Sequence, residues 1–275
     1  HSVRLREGGN GATKLGPLTL LLIYARILTP THLAQFDDGL RGFEQRLATH
    51  LVSADALGVA SLMALDGGRL AEARVWSERA LEANPDQIEA LVSRGSLALG
   101  DQQTRIARAS FERALTVNAL DGRSWSGLAF ANMLEQRLDL ALEAFQRAVA
   151  NMTGHIGTWI GLGWCQFLRR DVSAARDAFE RALHLDRNFA ESHGALAVAL
   201  AAQGLRAEAE IEIDIALRLD RTSLSARYAQ GILSGEVDDP QAFLRLAQRV
   251  LSQHRGPRGG GEGASLADLV LGRRQ

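Results

Sequence analysis

The 275 residues carry 31 basic and 32 acidic side chains, a net charge of −1 that offers no field for nucleic acid or an anionic membrane surface. A single cysteine, Cys165, excludes an intramolecular disulfide and a Cys-rich zinc site. Five prolines and few β-branched residues favour helix throughout, and the length allows one large domain, two ordinary ones or a repeat array.

The chain opens on His1 with no methionine, so it reads as a processed product, and a signal peptide or membrane anchor could be missing ahead of it. Lys14 is the only lysine among the 31 basic residues, and Ala and Leu abound; this association suggests GC-rich codon usage and a bacterial source. Residues 1–15, with Gly8, Gly9 and Gly11, read as a flexible segment. Residues 16–53 read as two helices parted by Thr29-Pro30, with Thr31 as N-cap. The apolar run Leu15–Leu28 is too short to span a bilayer and carries Arg26, which favours a core or interfacial helix over the stub of a lost anchor. Gly39 and Phe43 keep a small-x3-aromatic spacing, as a degenerate repeat or cap would.

From Ala54 onward the chain repeats every 34 residues. One column reads Ala73, Ala107, Ala141, Ala175, Ala209, and seven residues later Ala80, Ala114, Ala148, Ala182, Ala216. Between them run Ser77, Phe111, Phe145, Phe179 and Ile213, and earlier in each row Ser61, Gly95, Ala129, Gly163 and Ala197. Five rows fill 54–223 without insertion; a sixth, 224–253, is degenerate, with Pro240 early in its second helix, where proline is tolerated. Residues 254–275 hold a glycine-rich linker and a short amphipathic tail in which Leu266, Leu269 and Val270 share a face. Each row is an antiparallel helix pair that cannot bury its apolar face alone: small residues let helices approach, and large ones fill the space left. Turns are expected at Asp66–Arg69, Ala83–Gln87 and Gln203–Arg206.

These columns resemble the tetratricopeptide repeat family. Its W-x2-L-G…A-x3-F pattern is met by Trp159, Leu162, Gly163, Ala175 and Phe179, and in the preceding row by Trp125, Leu128, Ala141 and Phe145; Pro85 supplies the terminal proline of the first row. The family's tyrosine is absent, with Ala64, Ala98, Asn132, Gln166 and Leu200 in its place, and His193 replaces a tryptophan. The resemblance implies an all-α, right-handed superhelical solenoid of antiparallel helix pairs.

Along 158–167, "TWIGLGWCQF", two apolar stripes lie about 100° apart on one helix. Trp159, Leu162 and Gly163 form the signature stripe, so Trp159 reads as structural. Ile160, Trp164 and Phe167 form the second stripe. In the family this stripe, at the fifth, ninth and twelfth positions, lines a concave groove that binds peptides or helices. The partner-binding residues it implies are Ile160 and Tyr228 (fifth), Leu62, Phe130, Trp164, Val198 and Ile232 (ninth), and Leu65, Leu99, Met133 and Phe167 (twelfth). An open apolar trough of that extent suits an apolar or amphipathic helix or extended segment of a protein partner. Two rival expectations stand beside it. Curvature could seal Trp164 and Phe167 against adjacent repeats, or the chain's own Leu266–Val270 or Leu15–Leu28 could dock there. A pair of substitutions separates them: Trp159→Ala should destabilise, and Trp164→Ala should spare stability if its ring is an open anchor. Gly58, Leu62 and Ser93 stand where a carboxylate clamp for acidic chaperone tails would sit, and Arg123 alone fits it.

Catalysis finds no support. His1, His32, His50, His155, His184, His193 and His254 form no metal-binding pair, no phosphate-binding glycine loop follows a strand, and Cys165 reads as a packed thiol. Neither a cofactor nor a metal is expected. An RNA-reading array would want a basic concave face, which is lacking. The expected function is a non-catalytic scaffold or adaptor, cytoplasmic or peripheral to the inner membrane, with the periplasm as the alternative; membrane contact would come through a partner or a missing anchor. By family habit it would serve a bacterial envelope assembly such as secretion, pilus biogenesis or exopolysaccharide export. The alternative is a chaperone shielding apolar client segments.

Overall fold

The computed structural model describes residues 52–235. Within them lie eleven helices and no strand: α1 (Ala54–Asp66), α2 (Leu70–Ala83), α3 (Ile88–Gly100), α4 (Thr104–Val117), α5 (Gly122–Leu134), α6 (Leu138–Asn151), α7 (Ile156–Leu168), α8 (Val172–Leu185), α9 (Ala190–Ala202), α10 (Arg206–Leu219) and α11 (Leu224–Ser234). The class is an all-α helical-repeat solenoid. The expected segments 1–15, 254–275, most of 16–53 and the proline-bearing helix after α11 lie outside the described residues.

Packing divides the described chain into two units, α1–α6 and α7–α11. In the first, α1–α2, α3–α4 and α5–α6 pair as hairpins, and the second helix of each packs on the first helix of the next. In the second unit α7–α8 and α9–α10 pair the same way, and α11 packs on α9 and α10. The alanine columns explain the close approach: all ten alanines of the two columns are fully buried, as are Phe111, Phe145 and Phe179 between them. A Cβ placed on Gly163 would come within 2.4 Å of the Phe179 ring. That column must stay small wherever an aromatic ring faces it.

Helix boundaries follow local chemistry. Ser53, Gln87, Asp121, Asp171 and Ser223 accept hydrogen bonds from the backbone N–H three residues on, and His155 does so through Nδ1. Each hairpin turn places one residue in the left-handed region: Gly68, Gln102, Gln136, Arg170 and Gly204, again 34 apart, with φ between 60° and 78°. The next residue's N–H then reaches back to a first-helix carbonyl, as in Arg137 N to Asn132 O at 2.8 Å. Three of the five turns hold this conformation without glycine.

Neighbouring repeats are also tied by polar bonds from a second helix to the turn 27 residues ahead. These include Arg74 to Asp101 (2.8 Å), Arg108 to Glu135 (3.0 Å) and Arg176 to Gln203 (3.4 Å). Helix α9 differs from the rest. Every residue from Glu191 to Ala201 is buried, so it has no wet side.

Candidate interaction site

The stripe proposed to line a groove sits on the first helices of the hairpins. In the first unit, Leu62 on α1 is half-buried, while Leu65, Leu99, Phe130 and Met133 are buried. Phe130 meets its own hairpin partner Phe145 edge-on, with centroids 5.0 Å apart. In the second unit, Ile160, Trp164, Val198 and Tyr228 are buried, and Phe167 and Ile232 are half-buried.

The structure gathers the aromatic members of the second unit into one cluster. Trp164 lies 5.7 Å from Phe167, 5.7 Å from Phe179 and 6.2 Å from Tyr228, and Phe167 lies 6.4 Å from Tyr228. Trp164 and Tyr228 belong to helices with α9 between them in sequence. They meet because α9 offers only Gly194, Val198 and Ala201 at the same three positions. Burial raises the Tyr228 hydroxyl pKa to about 12.

This corrects one expectation. Trp164 is no open anchor: its ring is 2% exposed, sealed by Phe179 of its own hairpin and by Phe167 and Tyr228. Trp159, expected in the core, is the more exposed of the two and lies beneath the Arg181 guanidinium at 5.9 Å. The sealing ring that sequence reasoning passed over is Phe179, although the repeat pattern had already placed it in the core. One polar feature survives the sealing. The Trp164 indole Nε1–H is buried with no hydrogen-bond acceptor among the described residues, an arrangement that costs about 1–3 kcal/mol.

The other singled-out residues have structural commitments. Arg123 grips Asp66 with two bonds of 3.1 and 2.9 Å. Ser93 accepts a bond from Ser61 at 2.9 Å, and a Cβ at Gly58 would strike Gln87. The clamp positions are therefore filled by intrachain contacts. His193, in a tryptophan's place, donates from Nε2 to the Arg187 carbonyl (2.8 Å) and joins Nδ1 to the Glu212 carboxylate (2.5 Å). Cys165 is buried, and burial pushes its thiol up to about 12. Among the described residues no acidic, histidine or cysteine cluster could hold a metal, and no helix is long and apolar enough to cross a membrane. The tail Leu266–Val270 and the run Leu15–Leu28 lie outside the described residues.

A stack of helix pairs with a shared small-residue register and an apolar first-helix stripe defines an all-α repeat module built for protein–protein contact. Residues 33–88, 92–154 and 169–223 match the family model described as tetratricopeptide repeat, and the chain belongs to that family. In fold it is similar to PilF of Pseudomonas aeruginosa, at 18% identity over 73% of this chain and 89% of that one, with a TM-score of 0.58. It is also similar to YrrB, described as a TPR protein with an unusual peptide-binding site (20% identity, 68% and 97% covered, TM-score 0.50). A third likeness is to MamA of AMB-1 (19% identity, 61% and 99% covered, TM-score 0.50). At these identities the likeness concerns fold alone. No protein of curated function matches the chain. The chain is a protein–protein interaction scaffold, and its family is in general non-catalytic.

Proposed function

We propose that this scaffold holds an apolar or amphipathic segment of a partner protein along its first-helix stripe. In the unit α7–α11 the half-buried Phe167 and Ile232 make the first contact, and the buried stripe residues of that unit form the floor beneath. The observation that carries this reading is the Trp164 Nε1–H, a buried donor without an acceptor in the middle of the apolar cluster. A backbone carbonyl of an arriving segment would satisfy it once the Phe167 and Tyr228 rings move aside. The lack of any charged residue at the stripe positions supports an apolar occupant over the acidic tails that a clamp would hold. We place the scaffold in the bacterial cytoplasm, peripheral to the inner membrane, serving an envelope assembly; the support is the family's habit in bacteria.

Peptide selection on the folded chain tests the proposal. Selected sequences should be apolar at every third or fourth residue, and Phe167→Ala should weaken their binding at least tenfold. Selection of acidic sequences, or binding indifferent to Phe167→Ala, would overturn it.

A further inference from the structure

The second hairpin, α3–α4, carries a charged side chain where the other repeats carry an apolar one. Where Leu128, Leu162 and Leu196 stand in later repeats, and Ala60 in the first, the second repeat carries Arg94. Where Trp125 and Trp159 stand, it carries Leu91. In those two repeats the tryptophan lies under an arginine of the second helix, Arg147 at 4.8 Å and Arg181 at 5.9 Å. The arginine at the equivalent position here is Arg113, in a repeat whose tryptophan position holds Leu91.

Arg94 is half-buried, and its guanidinium makes a single hydrogen bond, from Nε to Ser110 Oγ at 3.0 Å. That oxygen is neutral and itself donates to the Ile106 carbonyl at 2.8 Å. Among the described residues Arg94 forms no ion pair. Burial, and after it the like charge of Arg113, hold the guanidinium below the ordinary arginine range. Arg113 in turn is 48% exposed and pairs with Asp86 at 2.8 Å, itself 58% exposed. A surface pair of this kind contributes little and exchanges readily with other anions. Taking a cation out of water beside a second cation is unfavourable unless a counter-charge accompanies it.

We propose that Arg94 and Arg113 form an oxyanion site on the second repeat, taking an anionic group of a partner protein, with Ser110 orienting the Arg94 fork. The shared chemistry is two or three acceptor oxygens matched to guanidinium donors. It is carried either by a carboxylate or by a phosphate ester. The site shares no residue with the apolar stripe, so it stands or falls separately from the proposed groove function.

Thermal unfolding with the whole chain tests it. Inorganic phosphate, glutarate and chloride are titrated at matched ionic strength into the wild type, Arg94→Leu and Arg113→Gln. A bound anion raises the transition temperature saturably, whereas a general salting effect does so equally in all three proteins. The expected result is a saturable gain in the wild type, at least four-fifths of it lost in Arg94→Leu, with the half-saturating concentration raised at least fivefold in Arg113→Gln. Arg94→Leu restores the residue used by the later repeats, so it should unfold at or above the wild-type temperature in chloride. Gain with both anions supports an oxyanion site in general; gain with phosphate or glutarate alone supports the site and names the group. Equal gains in wild type and Arg94→Leu, or none, would overturn the proposal.

Discussion

Replacing each tryptophan of α7 by alanine should rank them in the order opposite to their sequence roles. Trp164 is fully enclosed, and removing a buried ring of that size costs about 3–5 kcal/mol. Part of that is the edge contacts with Phe167 and Phe179 and the tilted contact with Tyr228, worth about 0.5–1.5 kcal/mol each. The variant also removes the unsatisfied Nε1–H, which returns about 1–3 kcal/mol. Taking the middle of both ranges, the net expectation for Trp164→Ala is a loss of about 2 kcal/mol, and of no more than about 4 kcal/mol. Trp164→Phe keeps a ring, leaves a small void costing about 1 kcal/mol and deletes the orphan donor, so it should be close to neutral. Trp159 is only half-buried, and its contact with Arg181 adds little, so Trp159→Ala should cost about 1–2 kcal/mol. Urea unfolding followed by far-ultraviolet circular dichroism measures all three, with amide hydrogen exchange reporting whether α7–α11 opens alone. A larger loss for Trp159→Ala than for Trp164→Ala would refute the enclosed-cluster reasoning.

Three further outcomes are expected. Gln136→Gly should raise stability by about 0.5–1 kcal/mol, because a side chain in the left-handed region is strained by about 1–2 kcal/mol and glycine's greater chain freedom offsets only part of that; the urea midpoint reads it. Gly163→Ala should cost about 1–3 kcal/mol, because the new methyl lies 2.4 Å from Phe179, and an unchanged midpoint would show that the helices can part freely. Cys165 and Tyr228 both have folded pKa values raised to about 12, so the unfolded chain sheds these protons first as pH rises. Stability should therefore be insensitive to both groups below pH 9 and fall progressively between about pH 9 and 12. Thiol-reagent labelling of the native protein at pH 8 should be about a thousandfold slower than after unfolding.

The register of the fold was legible because the period is strict: small residues at fixed places in each row can satisfy only one way of stacking helix pairs. Ala73 to Ala209 and Phe111 to Phe179 are buried as their columns required. The fate of Trp164 was not legible from its own helix. Its neighbour Tyr228 is 64 residues away, and the two rings touch only because Gly194 and Ala201 leave α9 low between them. A stripe read helix by helix shows which side is apolar, not whether adjacent rings close over it. The turn conformation was half legible: Gly68 and Gly204 announce it, whereas Gln102, Gln136 and Arg170 adopt it because the hairpin demands it. Arg94 was passed over because the columns were read for what they share, and it is the exception in its column.

Helix α9, walled in on every side from Glu191 to Ala201, ties the fates of its neighbours together. A segment buried on every side has no face suited to water, so detaching either α8 or α11 would leave a largely apolar, alanine-rich rod facing solvent. Fraying from the C-terminal side should thus halt at α11 or else sweep through α9 and α10 in one event, and a protease would find either an intact stack or a collapsed one.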